Sequence, residues 1–161
     1  MNLVVAVDKN WAIGKNGQLL IRNSQDLAHF KELTLGNVIV YGRKTLDTFR
    51  DRKPLPGRTN LVLTRDPELA VDGATIIHNT DELNQYPSDK LFVCGGASVY
   101  KQLLPKCKYA YVTHFDTSVE GADAFFPRLD EMPNWRIAES REETSGDLKM
   151  TFATWVNDDM D

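Results

Sequence analysis

The sequence predicts a single-domain α/β fold with a mostly parallel central β-sheet, an antiparallel C-terminal edge and flanking helices. Three observations predict it. Short β-branched runs alternate with helical patterns through the first two thirds of the chain. The runs are apolar at successive positions, as strands buried on both faces require. After residue 106 strand-like runs follow one another with no helix between them, as antiparallel neighbours do.

The expected strands are "LVVAV" at 3 to 7, "VIVY" at 38 to 41, "NLVLT" at 60 to 64, "TIIH" at 75 to 78, "LFVCG" at 91 to 95 and "YAYVTHF" at 109 to 115. Helical patterns fall between them at about 24 to 34, 43 to 50, 80 to 86 and 97 to 104. "WRIAESRE" and "MTFATWV" complete the antiparallel edge. No repeat, low-complexity segment or polar linker divides the 161 residues, a length that buries a core of its own. Residues 1 to 161 therefore read as one domain.

With 42% hydrophobic and 26% charged residues the chain has an ordinary globular composition. Its net charge of −4 leaves no broad basic surface to neutralise a phosphate backbone, so nucleic acid is not an expected partner. No apolar run reaches the length of a bilayer span, and "MNLVVAVDKN" lacks the basic region and cleavage site of a secretory signal. The expectation is a cytoplasmic protein without membrane attachment. Cys94 and Cys107 follow no metal-ligand spacing and are expected as free thiols. His29, His78 and His114 are scattered, so no metal site is expected. No spare apolar element asks for a partner, which makes a monomer the expected state.

Ligands of open α/β sheets collect at the carboxyl ends of strands. After "VIVY" come Gly42, Arg43, Lys44 and Thr45, a turn opening a helix with two cations and a hydroxyl. Such a turn suits a phosphate, although alone it is more often a glycine turn followed by solvated bases. After "LFVC" come Gly95, Gly96, Ala97 and Ser98, where paired glycines let an anion approach the backbone N–H groups. This is not a GxGxxG fingerprint, and a plain strand-to-helix turn explains it equally well. Leu63, Thr64 and Arg65 form a third such end. Three together favour a ligand with several phosphates. Arg43, Lys44 and Arg65 supply charge for a phosphomonoester of the kind that distinguishes NADPH from NADH.

The stretch "GQLLIRNSQDLAHFKE" places one acid, Asp26, among leucines, an isoleucine and a phenylalanine. With Asn23 or Ser24 as cap, Asp26, Phe30 and Leu33 share a helix face, with Leu27 beside them. Gln25, His29 and Glu32 are expected toward water. A first-turn acid commonly serves the positive end of its helix, but such an acid can point to solvent, whereas Asp26 falls in the apolar stripe. A buried carboxylate needs donors, and a ligand with an amino group beside a ring nitrogen supplies two.

The motifs "VVAVDKNWAIGKNGQL", "QDLAHFK", "VIVYGRKTL", "PLPGRTNLVLTR", "FVCGGASVYKQLLP", "AYVTHFD" and "FFP" resemble, in order and spacing, those of a bacterial dihydrofolate reductase. The resemblance covers nearly the whole chain and is weakest in the C-terminal strands. It implies that Asp26 is the lone active-site acid, holding the pteridine amino group and ring nitrogen with support from Thr113. Leu27, Phe30, Phe49 and Leu55 would wall the pteridine and aminobenzoyl pocket, and Arg58 would bind the glutamate carboxylate of folate. Val5, Cys94 and Tyr100 would lie near the reacting rings.

The same resemblance implies NADPH as cofactor. Ala6, Ile13, Gly14 and Leu19 would surround its nicotinamide. Gly42, Arg43, Lys44 and Thr45 would form one phosphate turn, and Gly95, Gly96, Ala97, Ser98, Val99 and Gln102 the other. Leu63, Thr64 and Arg65 would border the adenosine. The implied reaction is hydride transfer to pterin C6 with protonation of N5, and the implied small-molecule partners are dihydrofolate and antifolate inhibitors.

Two departures stand out. Leu20 and Ile21 replace a Pro-Trp pair frequent in the family, removing an indole N–H near Asp26 and a fixed φ from the nicotinamide loop. Asn23 and Ser24 stand where Ile-Pro is frequent, and "VEGADAFFP" is one residue longer than in some relatives, where Gly121 to Asp123 face that loop. Two rival functions remain compatible with the sequence: an NADPH-dependent reductase of a ribosylated pyrimidine, and a noncatalytic folate- or nucleotide-binding protein. Asp26 and Arg58 fit a folate better than the pyrimidine.

Overall fold

The structure is a computed structural model describing residues 1–161. Its strands are β1 (Asn2–Val7), β2 (Ala12–Lys15), β3 (Gln18–Leu19), β4 (Val38–Gly42), β5 (Thr59–Leu63), β6 (Thr75–Ile77), β7 (Leu91–Val93), β8 (Tyr109–Phe115), β9 (Ala124–Phe125), β10 (Trp135–Ser145) and β11 (Leu148–Asn157). The α-helices are α1 (Ser24–Thr34), α2 (Arg43–Leu46) and α3 (Ala97–Leu103). Eight strands form one sheet in the order β10-β11-β8-β1-β7-β4-β5-β6. The six from β8 to β6 run parallel, and β11 is antiparallel to both β8 and β10. The expected α/β architecture is therefore the observed one.

Its central strands carry consecutive apolar residues because layers cover both faces. Ile39 and Val40, and likewise Leu61 and Val62, point to opposite faces and are all fully buried. One layer is built on Leu3, Val40, Leu61 and Leu103 and reaches Trp135 and Trp155. The other gathers Val4, Ile39, Tyr41, Val62 and Phe92, with Phe30 and Leu33 of α1 against them. At the far edge, β10 is exposed along most of its length and carries Arg136, Glu139, Arg141, Glu142 and Glu143. Charges and the register break between Ile137 and Glu139 blunt this edge.

Three expectations change. The helix expected over 43 to 50 is the single turn Arg43–Leu46, because Phe49 is extended and Asp51 and Arg52 take positive φ, after which Pro54 bars continuation. The segment expected as a helix over 80 to 86 is the 3-10 segment Thr80–Gln85, with Asn79 as cap and Glu82 closing the capping box. Only Leu83 of it is buried, so no apolar stripe draws it into a longer helix. The strand expected over 91 to 95 ends at Val93, although Cys94 N–H still donates to Val40 O at 2.9 Å.

A second, three-stranded sheet, β3-β2-β9, has no counterpart in the sequence reading. Asn16 at φ 52° and Gly17 at φ 75° turn β2 into β3, and an Asn-Gly pair is the residue signal for such a hairpin.

Candidate active site

Helix α1 begins where Asn23 Oδ1 accepts the N–H groups of Gln25 and Asp26, both at 3.0 Å, so Asn23 is the cap. Such a cap contributes about 1 kcal/mol and fixes the rotation of the first turn. Asp26 consequently faces the sheet, where the Thr113 hydroxyl on β8 donates to its Oδ1 at 2.7 Å. Burial raises the Asp26 carboxyl above the usual carboxylate range, and the Thr113 bond pulls in the opposite direction.

His29 does not face water as expected. It is half-buried with its ring 4.4 Å from Phe152, because β11 extends beneath this side of the helix. Burial, then the nearby Arg141 charge, lower its pKa, and Glu32 opposes them. Gln25 and Glu32 are exposed as expected.

Asp26 opens on a cleft of about 670 Å³ at the carboxyl ends of β1, β4 and β7. The structure brings together in its wall most of the residues singled out in the sequence. From β1 come Val5 and Ala6, from the small sheet Ile13, Gly14 and Leu19, and from α1 Asp26 and Leu27. Gly42, Arg43, Lys44 and Thr45 follow β4, and Leu63 ends β5. Cys94, Gly95, Gly96, Ala97, Ser98, Val99 and Tyr100 follow β7. Leu27 is 41% exposed because it forms cleft wall and not core.

The two glycine turns interlock. Gly42 N–H donates to Gly95 O at 2.9 Å. Gly95 has φ +121°, and a Cβ there would meet Thr45 Oγ1 at 3.1 Å. Only glycine fits both the conformation and the space. Tyr100 ties the floor of the cleft by donating its hydroxyl to Val4 O at 2.6 Å, and burial raises its pKa well above the usual phenol range. Both cysteines are free, and burial pushes the Cys94 thiol up strongly and Cys107 up to about 12. Neither presents a thiolate near neutral pH.

Other expected residues do not line the cleft. Phe30, Phe49 and Leu55 pack beside it against the layer containing Tyr41 and Val62. Thr113 stands behind Asp26. Arg58 folds over the end of α1, donating from Nε and Nη2 to Pro56 O and from Nη1 to Thr34 Oγ1 at 3.2 Å. Thr64 and Arg65 follow the end of β5, and Gln102 lies exposed on α3.

The loop over the cleft is held by contacts the sequence reading lacks. Ile21 packs on Phe115, Met150 and Phe152, and both Leu20 and Ile21 line the cleft. Arg22 Nη2 donates to Thr48 O at 3.0 Å. The Gly121 to Asp123 segment does meet this region: Asp123 Oδ2 accepts Asn16 N–H at 3.0 Å, its N–H donates to Gly14 O at 3.0 Å, and Lys15 Nζ donates to Glu120 O at 2.9 Å. A smaller cleft of about 350 Å³ beyond Asp8 and Phe115 is polar and mixes Lys9, Lys149, Asp116 and Glu142. It has neither a glycine turn nor an apolar wall.

The Dihydrofolate reductase family model matches residues 1–157. The chain is 35% identical over 146 residues to the dihydrofolate reductase of Bacillus subtilis (strain 168), covering 89% of this chain and 84% of the relative. It is 36% identical over 149 residues to that of Mycobacterium tuberculosis (strain ATCC 25618 / H37Rv), covering 91% of each. The structure of dihydrofolate reductase from Enterococcus faecalis complexed with NADP(H) and RAB-propyl aligns with a TM-score of 0.86 at 30% identity, covering 97% of this chain and 95% of that one. Asp26, facing a cleft floored by two interlocked glycine turns, thus sits in a chain that belongs, over nearly its whole length, to the dihydrofolate reductase family.

Proposed function

We propose that this protein reduces 7,8-dihydrofolate to 5,6,7,8-tetrahydrofolate with NADPH, acting in the cytoplasm as a monomer and supporting one-carbon metabolism and thymidylate synthesis. Asp26 carries the reading. Its carboxylate accepts one hydrogen bond from the protein, from Thr113, and the rest of its capacity faces the cleft. A pterin presents an amino group beside a ring nitrogen, which matches two carboxylate oxygens. Diaminopyrimidine antifolates offer the same pair of donors.

The donor set fits NADPH. One end of the cleft has Arg43 and Lys44, with Arg65 beside it, for phosphate charge. The middle has the paired turns, and the other end has Ala6, Ile13 and Leu19 for an aromatic ring. The cofactor, when bound, supplies the hydride that reaches pterin C6.

The chain's own residues do the rest. Asp26, as an anion, favours the positive charge that protonation of N5 creates. Leu20 and Ile21 exclude water from that side and so strengthen its field. The Tyr100 bond to Val4 O holds α3 against β1, keeping the turn and the pterin wall in one alignment. Arg58, beyond the end of α1, binds the glutamate carboxylate in this reading.

The test is the rate of NADPH oxidation by purified protein with and without dihydrofolate, together with product identification. Dihydrofolate-dependent oxidation yielding tetrahydrofolate is expected. Binding of both ligands without turnover would overturn the proposal.

A further inference from the structure

One acid stands among the bases at the cation-rich end of the cleft. Arg43 Nη1 lies 3.6 Å from Asp66 Oδ2, with both side chains about half exposed. Asp66 is held in place from two sides. Its Oδ1 accepts Glu68 N–H at 2.9 Å, and its own N–H donates to Thr64 Oγ1 at 3.1 Å. The turn after β5 therefore presents the carboxylate to the guanidinium as a fixed feature, with Pro67 restricting the backbone between the two bonds. Lys44 and Arg65 have no acidic partner.

We propose that Asp66 is a specificity-determining residue of the cofactor site, an acid that competes with the NADPH 2′-phosphate for Arg43 and so narrows the preference for NADPH over NADH. The inference rests on the reading that Arg43, Lys44 and Arg65 take that phosphate. A phosphate arriving at Arg43 meets a guanidinium already engaged and a carboxylate of like charge. It must share the donors or displace the acid, and either lowers its affinity. NADH carries a hydroxyl at the same position and meets no such opposition. Because the pair is exposed and screened, the effect is modest, about three- to tenfold in affinity.

Fragments of the cofactor test this without turnover. Adenosine 2′,5′-bisphosphate and adenosine 5′-monophosphate are titrated calorimetrically into the full chain, its Asp66→Asn and Arg43→Gln variants and the double variant. Asparagine keeps the Oδ1 acceptor for Glu68 N–H, so the turn persists while the charge is removed. Asp66→Asn should bind the bisphosphate about three- to tenfold more tightly with the monophosphate unchanged, and the gain should vanish in the double variant. Unchanged or weaker bisphosphate binding in Asp66→Asn, or an equal gain for the monophosphate, while Arg43→Gln still weakens the bisphosphate, would overturn the role of Asp66 and leave the phosphate reading standing. Equal binding of the two nucleotides by both the native protein and Arg43→Gln would overturn the phosphate reading and the proposal with it.

Discussion

Thr113 Oγ1 lies 2.7 Å from Asp26 Oδ1, and this bond joins the fifth residue of a buried strand to the first turn of a helix whose other face meets water. It orients Asp26 and also opposes the effect of burial on its ionisation. Burial favours the neutral carboxyl, and the hydroxyl donor favours the anion.

Replacing Asp26 by asparagine keeps the shape and removes the charge that favours pterin protonation. Turnover near neutral pH is expected to fall about a hundredfold or more, measured as kcat and kcat/KM for dihydrofolate. Native turnover across the pH range would remove Asp26 from the mechanism.

The same variant should be more stable than the native protein near neutral pH. A carboxyl whose pKa is raised on folding binds protons more readily in the native state, so a stability cost builds as pH rises above the unfolded carboxylate range and is complete above the folded value. That cost disappears as pH falls below the unfolded carboxylate range. Denaturant melts at neutral and at acidic pH should show the advantage of Asp26→Asn shrinking toward acid.

Thr113→Val removes the donor at nearly constant volume. Asp26 then loses the interaction that lowers its pKa, so the limb of the kcat/KM pH profile that reports this carboxyl should move to higher pH. A global loss of about 1 kcal/mol is expected from the missing hydrogen bond. An unmoved limb would show that the profile reports another group.

Gly95→Ala adds a Cβ at φ +121° and 3.1 Å from Thr45 Oγ1. Strain and the crowded turn should cost about 1 to 3 kcal/mol of stability and raise KM for NADPH more than KM for dihydrofolate. The two KM values and the unfolding midpoint measure both effects.

Ile21 lines the cleft and packs on Phe115, Met150 and Phe152. Ile21→Trp introduces an indole N–H on the Asp26 side and a larger ring in the same cluster. It should tighten trimethoprim more than methotrexate, read from inhibition constants for both compounds. Parallel changes for the two would show that Ile21 does not discriminate between them.

Much of the site was legible because its signals are local. The Asn23 cap, the Asp26–Phe30 spacing and the glycines after β4 and β7 act within one turn of chain. Their physics is backbone hydrogen bonding and φ preference, both written in a few adjacent residues. The limits of local reading show at α2, where the helical pattern over 43 to 50 gives way to a single turn ending at Leu46, with Phe49 already extended. They show again at β2 and β3, which are too short to carry a periodic signal and are marked only by Asn16-Gly17.

The sequence by itself determined the alternation of strand and helix, the acid on an apolar face and the family motifs in their order. Tertiary structure decided what those residues meet. Helical spacing puts His29 one i, i+3 step from Asp26, but only the pairing of β11 with β8, which sets Phe152 beside Thr113, puts an aromatic ring against it. The chain order separates Arg43 from Asp66 and Arg22 from Thr48, and the parallel pairing of β4 with β5 and the path of the cleft loop bring each pair together. The physical reason is range: capping and dihedral preferences act between neighbours in sequence, whereas burial and charge act between neighbours in space, which the sheet order alone defines.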